Sequence, residues 1–258
     1  MFEGRVCIVS GVGPGLGREV ALALADQGAD VVLGARTESV LSEVAEEVEA
    51  RGRRALAVPT DVTDNAQCER LVASAAESFG RVDVLVNNAY VPDVFKTFEK
   101  VALDEWRRIV DVNLFGPLQV TKAVVPHMRA QGGGAIVFVN SMIVRKPMVL
   151  QGGYAVSKGA LLTAAQVLAQ ELGRHRIRVN SVLPGWMWGP QVEAYVSFNA
   201  QRRGVEEQVI IDEITASIPL SSVPTDDEVA QAVLFLASER ASAITGQALD
   251  VNGGEVFA

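Results

Sequence analysis

The sequence predicts an α/β protein: a doubly wound parallel sheet of about seven strands, helices on both faces, one domain over residues 1–258. Three observations carry this expectation. Short apolar, β-branched runs alternate with longer helical patterns along the whole chain, an alternation that implies parallel strands joined by crossover helices. Those runs lack polar alternation, as strands covered on both faces do. No Pro/Ser-rich linker or compositional break divides the 258 residues, and α/β folds of roughly 250 residues are often unbroken.

Strands are expected at Val6–Ser10, Val31–Gly34, Ala55–Pro59, Val82–Asn87, Ala135–Asn140, Arg178–Leu183 and Ala248–Val251. Helical patterns lie between them, near Gly15–Gln27, Thr37–Arg51, Asn65–Phe79, Asp104–Ala130, Gly153–Arg174 and Asp226–Ser238. Hydrophobic residues make up 49% and charged residues 21%, the balance of a globular protein with a substantial core. A net charge of −8 argues against nonspecific nucleic-acid binding while leaving room for a local anion pocket. Cys7 and Cys68 show no metal-ligand spacing and read as reduced thiols, so no metal is expected. Without a signal-peptide pattern, or an apolar run of the roughly 20 residues that cross a bilayer, a cytoplasmic protein with no membrane contact is expected.

The first strand runs into SGVGPGLG, Ser10 to Gly17, which opens the first helix. A glycine-rich turn here lets backbone approach a phosphate, with free N–H groups of the helix end facing the anion. The spacing is not the common G-x-G-x-x-G. It reads Gly11-x-x-x-Gly15-x-Gly17 with Gly13 extra, or else as a merely flexible loop. The second strand ends in Ala35, Arg36 and Thr37 with no carboxylate, Asp30 being assigned to the turn before it. A basic residue at that place suits a ribose 2′-phosphate, so Arg36, supported by Thr37, favours NADP(H) over NAD(H); the plain alternative is a solvated arginine. After the third strand, Asp61 either reaches an adenine amino group or starts the next helix as a turn residue, with Asp64 as N-cap. Asn87 and Asn88 suggest pairing between neighbouring strands and close approach to a ligand, or simply a loop. Asn113 interrupts an apolar helical pattern, which is mildly unfavourable and otherwise fits a helix surface.

Ser141 is followed thirteen residues on by Tyr154, and four later by Lys158. Four residues are one helical turn, so Tyr154 and Lys158 share a face. An ammonium near a phenol favours the phenolate, and a tyrosine tuned that way trades protons near neutral pH while a nearby serine bonds the same substrate oxygen. Tyr-x-x-x-Lys is common by chance, and an amphipathic helix with one tyrosine and one solvated lysine is the simpler explanation of the pair alone.

Taken together, these residues resemble the short-chain dehydrogenase/reductase family, in its single-domain branch. SGVGPGLG is similar to that family's Thr-Gly-x-x-x-Gly-x-Gly turn, with Ser10 for threonine. Asp61-Val62, Asn87-Asn88-Ala89, Asn113, Ser141, Tyr154-x-x-x-Lys158 and Pro184-Gly185 follow in the family's order, from Val6 to Gly254. The resemblance implies a Rossmann-type fold and an enzyme interconverting a carbonyl and an alcohol with a nicotinamide dinucleotide. It implies a tetrad of Asn113, Ser141, Tyr154 and Lys158. Tyr154 would be the general acid/base, Lys158 would lower its pKa and bind the nicotinamide ribose, Ser141 would polarise the substrate oxygen, and Asn113 would hold a water. Cofactor contacts are expected from Gly11, Gly13, Gly15, Leu16, Gly17, Arg36, Thr37, Asp61, Val62, Asn88, Ala89, Tyr154, Lys158, Pro184, Gly185 and Met187. A homo-oligomer, tetramer or dimer, is implied too.

Three positions depart from the family's pattern. Tyr90 stands where glycine is usual and puts a ring near the cofactor edge or pocket mouth. Asn140 precedes Ser141 where a second serine is common. Gly189 stands where threonine is common, so another group must replace that hydroxyl. Residues 191–224 fit no core β-α unit and are expected to form a substrate lid, with helices over Val192–Asn199 and Val205–Ile218 joined by a turn at 201–204. Trp186, Trp188, Met142, Met148 and Phe198 suggest a large apolar pocket, or else core and interface; Arg145 is a candidate for its wall. The expected substrate is a bulky, mainly apolar ketone or secondary alcohol.

Overall fold

The computed structural model describes residues 1–257; Ala258, the end of the expected domain, lies outside them. Seven parallel strands stand in the order β3-β2-β1-β4-β5-β6-β7: β1 Val6–Ser10, β2 Asp30–Ala35, β3 Ala55–Pro59, β4 Val84–Asn87, β5 Gly134–Val139, β6 Ile177–Pro184 and β7 Ala248–Val251. Alternate residues of β1 to β6 enter opposite cores. Cys7 and Val9 of β1 join one buried cluster with helices α1 (Leu16–Asp26), α2 (Glu38–Glu49) and α9 (Asp226–Ala237). Val6 and Ile8 join the other, with α3 (Asn65–Phe79), α5 (Gly116–Ala130) and α6 (Gly152–Gly173). Helices on both faces explain why the strands read as unbroken apolar runs.

The continuous helix expected over Asp104–Ala130 is instead α4 (Leu103–Val110), a π-helical turn over Asp111–Phe115, and α5. The wide turn carries Asn113, fully buried rather than on a helix surface, and Gly116-Pro117 restarts the α-helix at its first two positions, where proline's missing N–H costs nothing. A second correction concerns Asp30. It is not in a turn but is the first, buried residue of β2. Burial pushes its carboxyl up, but bonds from Arg54 Nε (3.0 Å) and Arg54 N (3.1 Å) outweigh this and hold it low. It belongs to the N-terminal edge of the sheet, away from the strand ends that form a ligand crevice.

The insertion before α9 forms α7 (Pro190–Arg203) and α8 (Glu207–Thr215). The basic stretch expected as a turn at 201–204 is the last turn of α7, closed by Gly204 with φ +65°, and Arg203 pairs with Glu213 at 2.6 Å. Val192, Val196, Ala200, Ile210, Ile214 and Ile218 close onto one another, and Trp186 and Trp188 pack against them. Of the two readings left open for these tryptophans, pocket wall or core, their packing here is that of a small core. No helix among the described residues is long and apolar enough to cross a membrane.

Candidate active site

The strand order reverses between β1 and β4, and in open parallel sheets the crevice at the carboxyl ends of such a pair receives the ligand. Two loops interlock there. Gly11 N and Val12 N both donate to Gly34 O (2.7 and 3.1 Å), while Asn88 N and Ala89 N donate to Ser10 O (2.8 and 2.9 Å). Asn88 Nδ2 closes onto Gly11 O at 2.7 Å. Gly11 has φ +100° and a Cβ there would collide with the backbone of Ala89; one on Gly17 would collide with Gly11 O. Gly13 is different: a Cβ would meet nothing within 4 Å. Gly15 caps α1 with φ +106° and no side-chain bond, which leaves the first amides of the helix for an external acceptor. Leu16 turns its side chain into the core, so only its backbone faces the crevice. An uncapped helix end beside a bare glycine fits the pyrophosphate of a dinucleotide.

At the neighbouring strand end, Arg36 and Thr37 are exposed, and Arg36 pairs with no carboxylate among the described residues. Asp64 is the N-cap of α3, accepting from Ala66 N and Gln67 N. Asp61 accepts from the backbone and hydroxyl of Thr63 (2.9 and 2.7 Å). These bonds hold its carboxyl below the ordinary value, and the Arg36 guanidinium adds to the effect. Val62 is buried against Gly116 and its carbonyl accepts from Gln119 Nε2 at 3.1 Å.

Helix α6 places Tyr154 and Lys158 on one face, as their spacing implies, and packs closely on α4 because Gly152 and Gly153 leave no Cβ to strike Trp106. Lys158 is 2% exposed; its Nζ donates to Val139 O at 2.8 Å and lies 5.7 Å from the Tyr154 ring centroid. The Ser141 hydroxyl lies beside the Tyr154 phenol, near enough to favour its ionised form. It also accepts from Ile143 N at 3.2 Å, which fixes its rotamer. One electrostatic expectation is not met in the protein alone. Burial pushes the Tyr154 phenol up, against the lowering influence of Ser141, and pushes the Lys158 ammonium down to about 7. Burial disfavours the charged form of each, and it is the largest cause of both shifts.

Asn113 reaches the backbone of the loop after β4 rather than Lys158. Its Oδ1 accepts from Val91 N (2.7 Å), and its Nδ2 donates to Val91 O (2.9 Å) and to Ser157 Oγ (3.2 Å). Ser157 Oγ in turn donates to Tyr154 O at 2.7 Å, and Asp93 Oδ2 accepts from Tyr154 N at 2.7 Å. Sequence reasoning missed Asp93 and Ser157. Ser157 carried a weak signal, a small polar residue one turn from Tyr154; Asp93 carried none, lying in an irregular loop.

Tyr90 stands in the site, its ring edge-on to Tyr154 (centroids 6.2 Å apart) and 5.8 Å from Lys158 Nζ. Its hydroxyl donates to Gln191 Oε1 of α7 at 2.5 Å. On the other side, Gly185 N donates to Val251 O (3.1 Å), and a Cβ on Gly185 would press on Asn252 and on the Met142 sulfur. Pro184 ends β6 and Met187 packs against the first core cluster. Arg145 is not pocket wall: it turns to Asp250, 3.5 Å away.

A family model described as enoyl-(acyl carrier protein) reductase matches residues 11–255. The chain is 35% identical over 255 residues to a short-chain dehydrogenase/reductase of Aspergillus oryzae, with 98% of this chain and 95% of that one covered. L-sorbose reductase from Gluconobacter frateurii, complexed with NADPH and L-sorbose, has TM-score 0.95 and 30% identity, covering 100% of this chain and 98% of the other. An NAD+-bound xylitol dehydrogenase has TM-score 0.91 and 30% identity, covering 98% and 99%. The chain belongs to the short-chain dehydrogenase/reductase family, NAD(P)-dependent oxidoreductases that act on CH–OH groups.

Proposed function

We propose that the protein interconverts a bulky, mainly apolar ketone and its secondary alcohol, using NADP(H) and Tyr154 as general acid/base. The observation that carries this is that Tyr154 and the buried Lys158 share one face of α6, Lys158 Nζ lying 5.7 Å from the Tyr154 ring centroid, with Ser141 beside the phenol. In the reduction direction the Tyr154 hydroxyl gives its proton to the carbonyl oxygen, which Ser141 polarises from the other side. Lys158 stabilises the resulting phenolate, an attraction that gains strength in a water-poor site. Asn113, Ser157 and Asp93 hold the backbone of Tyr154 and so fix where the proton is delivered. The nicotinamide supplies or accepts the hydride.

The dinucleotide is held by the backbone of Gly11, Gly13, Gly15, Leu16 and Gly17, by Asn88 and Ala89, and by Pro184, Gly185 and Met187 on the opposite side. Asp61 and Val62 bound the adenine, and Lys158 binds the ribose beside the nicotinamide. Free, exposed Arg36 with no carboxylate at the end of β2 supports a 2′-phosphate, with Thr37 beside it.

Apolar side chains support the substrate class. Met148, Val149 and Leu150 are exposed directly before α6, and Phe95 is exposed on the loop that Asn113 and Asp93 tie to Tyr154. Residues 191–224 act as the lid of a single domain. Exposed Phe115 on the π-turn and Val156 and Val167 on α6 support a homo-oligomer, tetramer or dimer. A second reading, a sugar or polyol substrate, has support in two structural neighbours named for L-sorbose and xylitol.

A substrate panel run with both cofactors, with Tyr154→Phe in parallel, tests the proposal. Hydrophobic ketones should turn over best, NADPH should bind more tightly than NADH, and Tyr154→Phe should lose nearly all turnover while still binding dinucleotide. Unchanged turnover in that variant refutes the acid/base assignment, tighter NADH binding refutes the reading of Arg36, and faster turnover of short sugars refutes the apolar substrate.

A further inference from the structure

Glycine at 189 removes a side chain from the loop after β6, and a residue from another element fills the space. A Cβ on Gly189 would overlap the carboxylate of Asp226, the first residue of α9. A Cβ on Gly15 would stand 2.9 Å from Asp226 Oδ2. Gly15 is the N-cap of α1, at the helix end read above as the pyrophosphate site. One carboxyl group therefore sits between the two loops that border the dinucleotide seat.

We propose that Asp226 is a cofactor-positioning acid: its carboxyl closes the dinucleotide seat in place of a side chain at 189, and it must be neutral when the pyrophosphate is bound, so that dinucleotide binding takes up one proton from solvent. The inference rests on the dinucleotide site proposed above and adds to it a residue and a proton linkage.

The physical reason is competition between anions for one helix end. The uncapped amides of α1 attract a negative group, and an ionised Asp226 would already occupy that field and repel the phosphates. The groups that face it do not relieve this. From α1 comes Glu19, itself bonded to Arg18 at 2.5 Å, and from α7 comes Glu193. Tyr90 lies near enough after β4 for Asp226 to help push its phenol up, behind burial as the main cause. On its own helix Asp227 is exposed and Glu228 turns back to Thr225 N at 2.9 Å. The N-terminus of α9 favours the ionised form, yet burial, then Glu19 and Glu193, prevail and push the carboxyl up to about 6. A bound pyrophosphate adds negative charge and pushes in the same direction. Asparagine is the matching neutral shape, and its amide donates to a phosphate oxygen as a protonated carboxyl would.

Dissociation constants for NADH and NADPH, measured by nicotinamide fluorescence from pH 5.5 to 8.5 for the wild type and Asp226→Asn, test the proposal. NADH carries no 2′-phosphate to titrate in that range. Wild-type affinity should fall at least fivefold more than that of the variant between pH 6 and 8, and D226N should bind at least fivefold more tightly at pH 8. Calorimetry of the wild type in two buffers of different ionisation enthalpy should report close to one proton taken up at pH 7.5. This measurement needs no variant and decides the matter if D226N fails to fold. Equal affinities and slopes in the two proteins, or no proton uptake, overturn the role of Asp226 alone. Failure of the wild type to bind either dinucleotide at any pH overturns the functional reading, and this inference with it.

Discussion

Replacing Lys158 with methionine should remove turnover and at the same time raise the stability of the cofactor-free protein at neutral pH. The side chain is 2% exposed, its Nζ bonded only to Val139 O among the described residues, and burial lowers its pKa from 10.5 to about 7. Because the folded value lies below the unfolded one, the unfolded chain holds a proton between pH 7 and 10.5 that the folded chain has lost. Stability therefore rises with pH across this window. At 1.36 kcal/mol per pH unit, the buried lysine costs about 4 kcal/mol at pH 7 and about 2 kcal/mol at pH 9. Methionine has similar length and no charge; it leaves the Val139 carbonyl without its donor, a loss of about 1–3 kcal/mol that does not depend on pH. The variant should thus be at least as stable as the wild type at pH 7 and lose about 2 kcal/mol of that advantage by pH 9. For a chain of this size this is a change of about 5 °C in the difference between the two Tm values. Calorimetric melting of both apo proteins at pH 7 and pH 9, at one ionic strength, measures it. Every other titrating group is common to both proteins and cancels. A Tm difference that does not change with pH would show that Lys158 is not held neutral by burial and would sink the argument.

Gly11→Ala should destabilise the fold by about 1–3 kcal/mol, since it combines φ +100° with a collision at Ala89. Gly13→Ala should leave Tm nearly unchanged, because its Cβ would enter open space, and act on dinucleotide affinity instead; equal melting losses in both variants would contradict the packing account. Tyr90→Phe deletes the bond to Gln191 Oε1. If that bond holds α7 over the site, KM should rise severalfold with kcat little changed, the loss expected from about 1 kcal/mol of hydrogen bonding; unaltered steady-state constants would refute it.

The layered fold was readable because burial on both faces forces long apolar strands, a constraint local enough to see in five or six residues. Of the strand boundaries, those of β1, β3 and β7 agree with expectation at both ends. The helical stretch over residues 104–130 was legible, but not the π-turn within it, which has no periodic signature: Asn113 is held there by Val91, 22 residues away in sequence. Asp30 was misplaced for a similar reason, its burial being compensated by Arg53 and Arg54 beyond the next helix.

At the site, the four-residue spacing determined that a phenol and an amine share one helix face, since one helical turn brings 154 and 158 together whatever surrounds them; that the Ser141 hydroxyl joins them was implied by the family resemblance. Only the tertiary structure decided how they are charged. Enclosure by β5, Tyr90 and Val139 sets the desolvation that moves Lys158 to about 7 and raises Tyr154. It likewise decided that Asp93 and Ser157 grip the Tyr154 backbone, and that Asp226 stands in the space left by Gly189. A sequence determines which groups a turn or strand end presents; solvent exclusion and contacts between distant segments, which set their electrostatics, exist only once the chain has closed on itself.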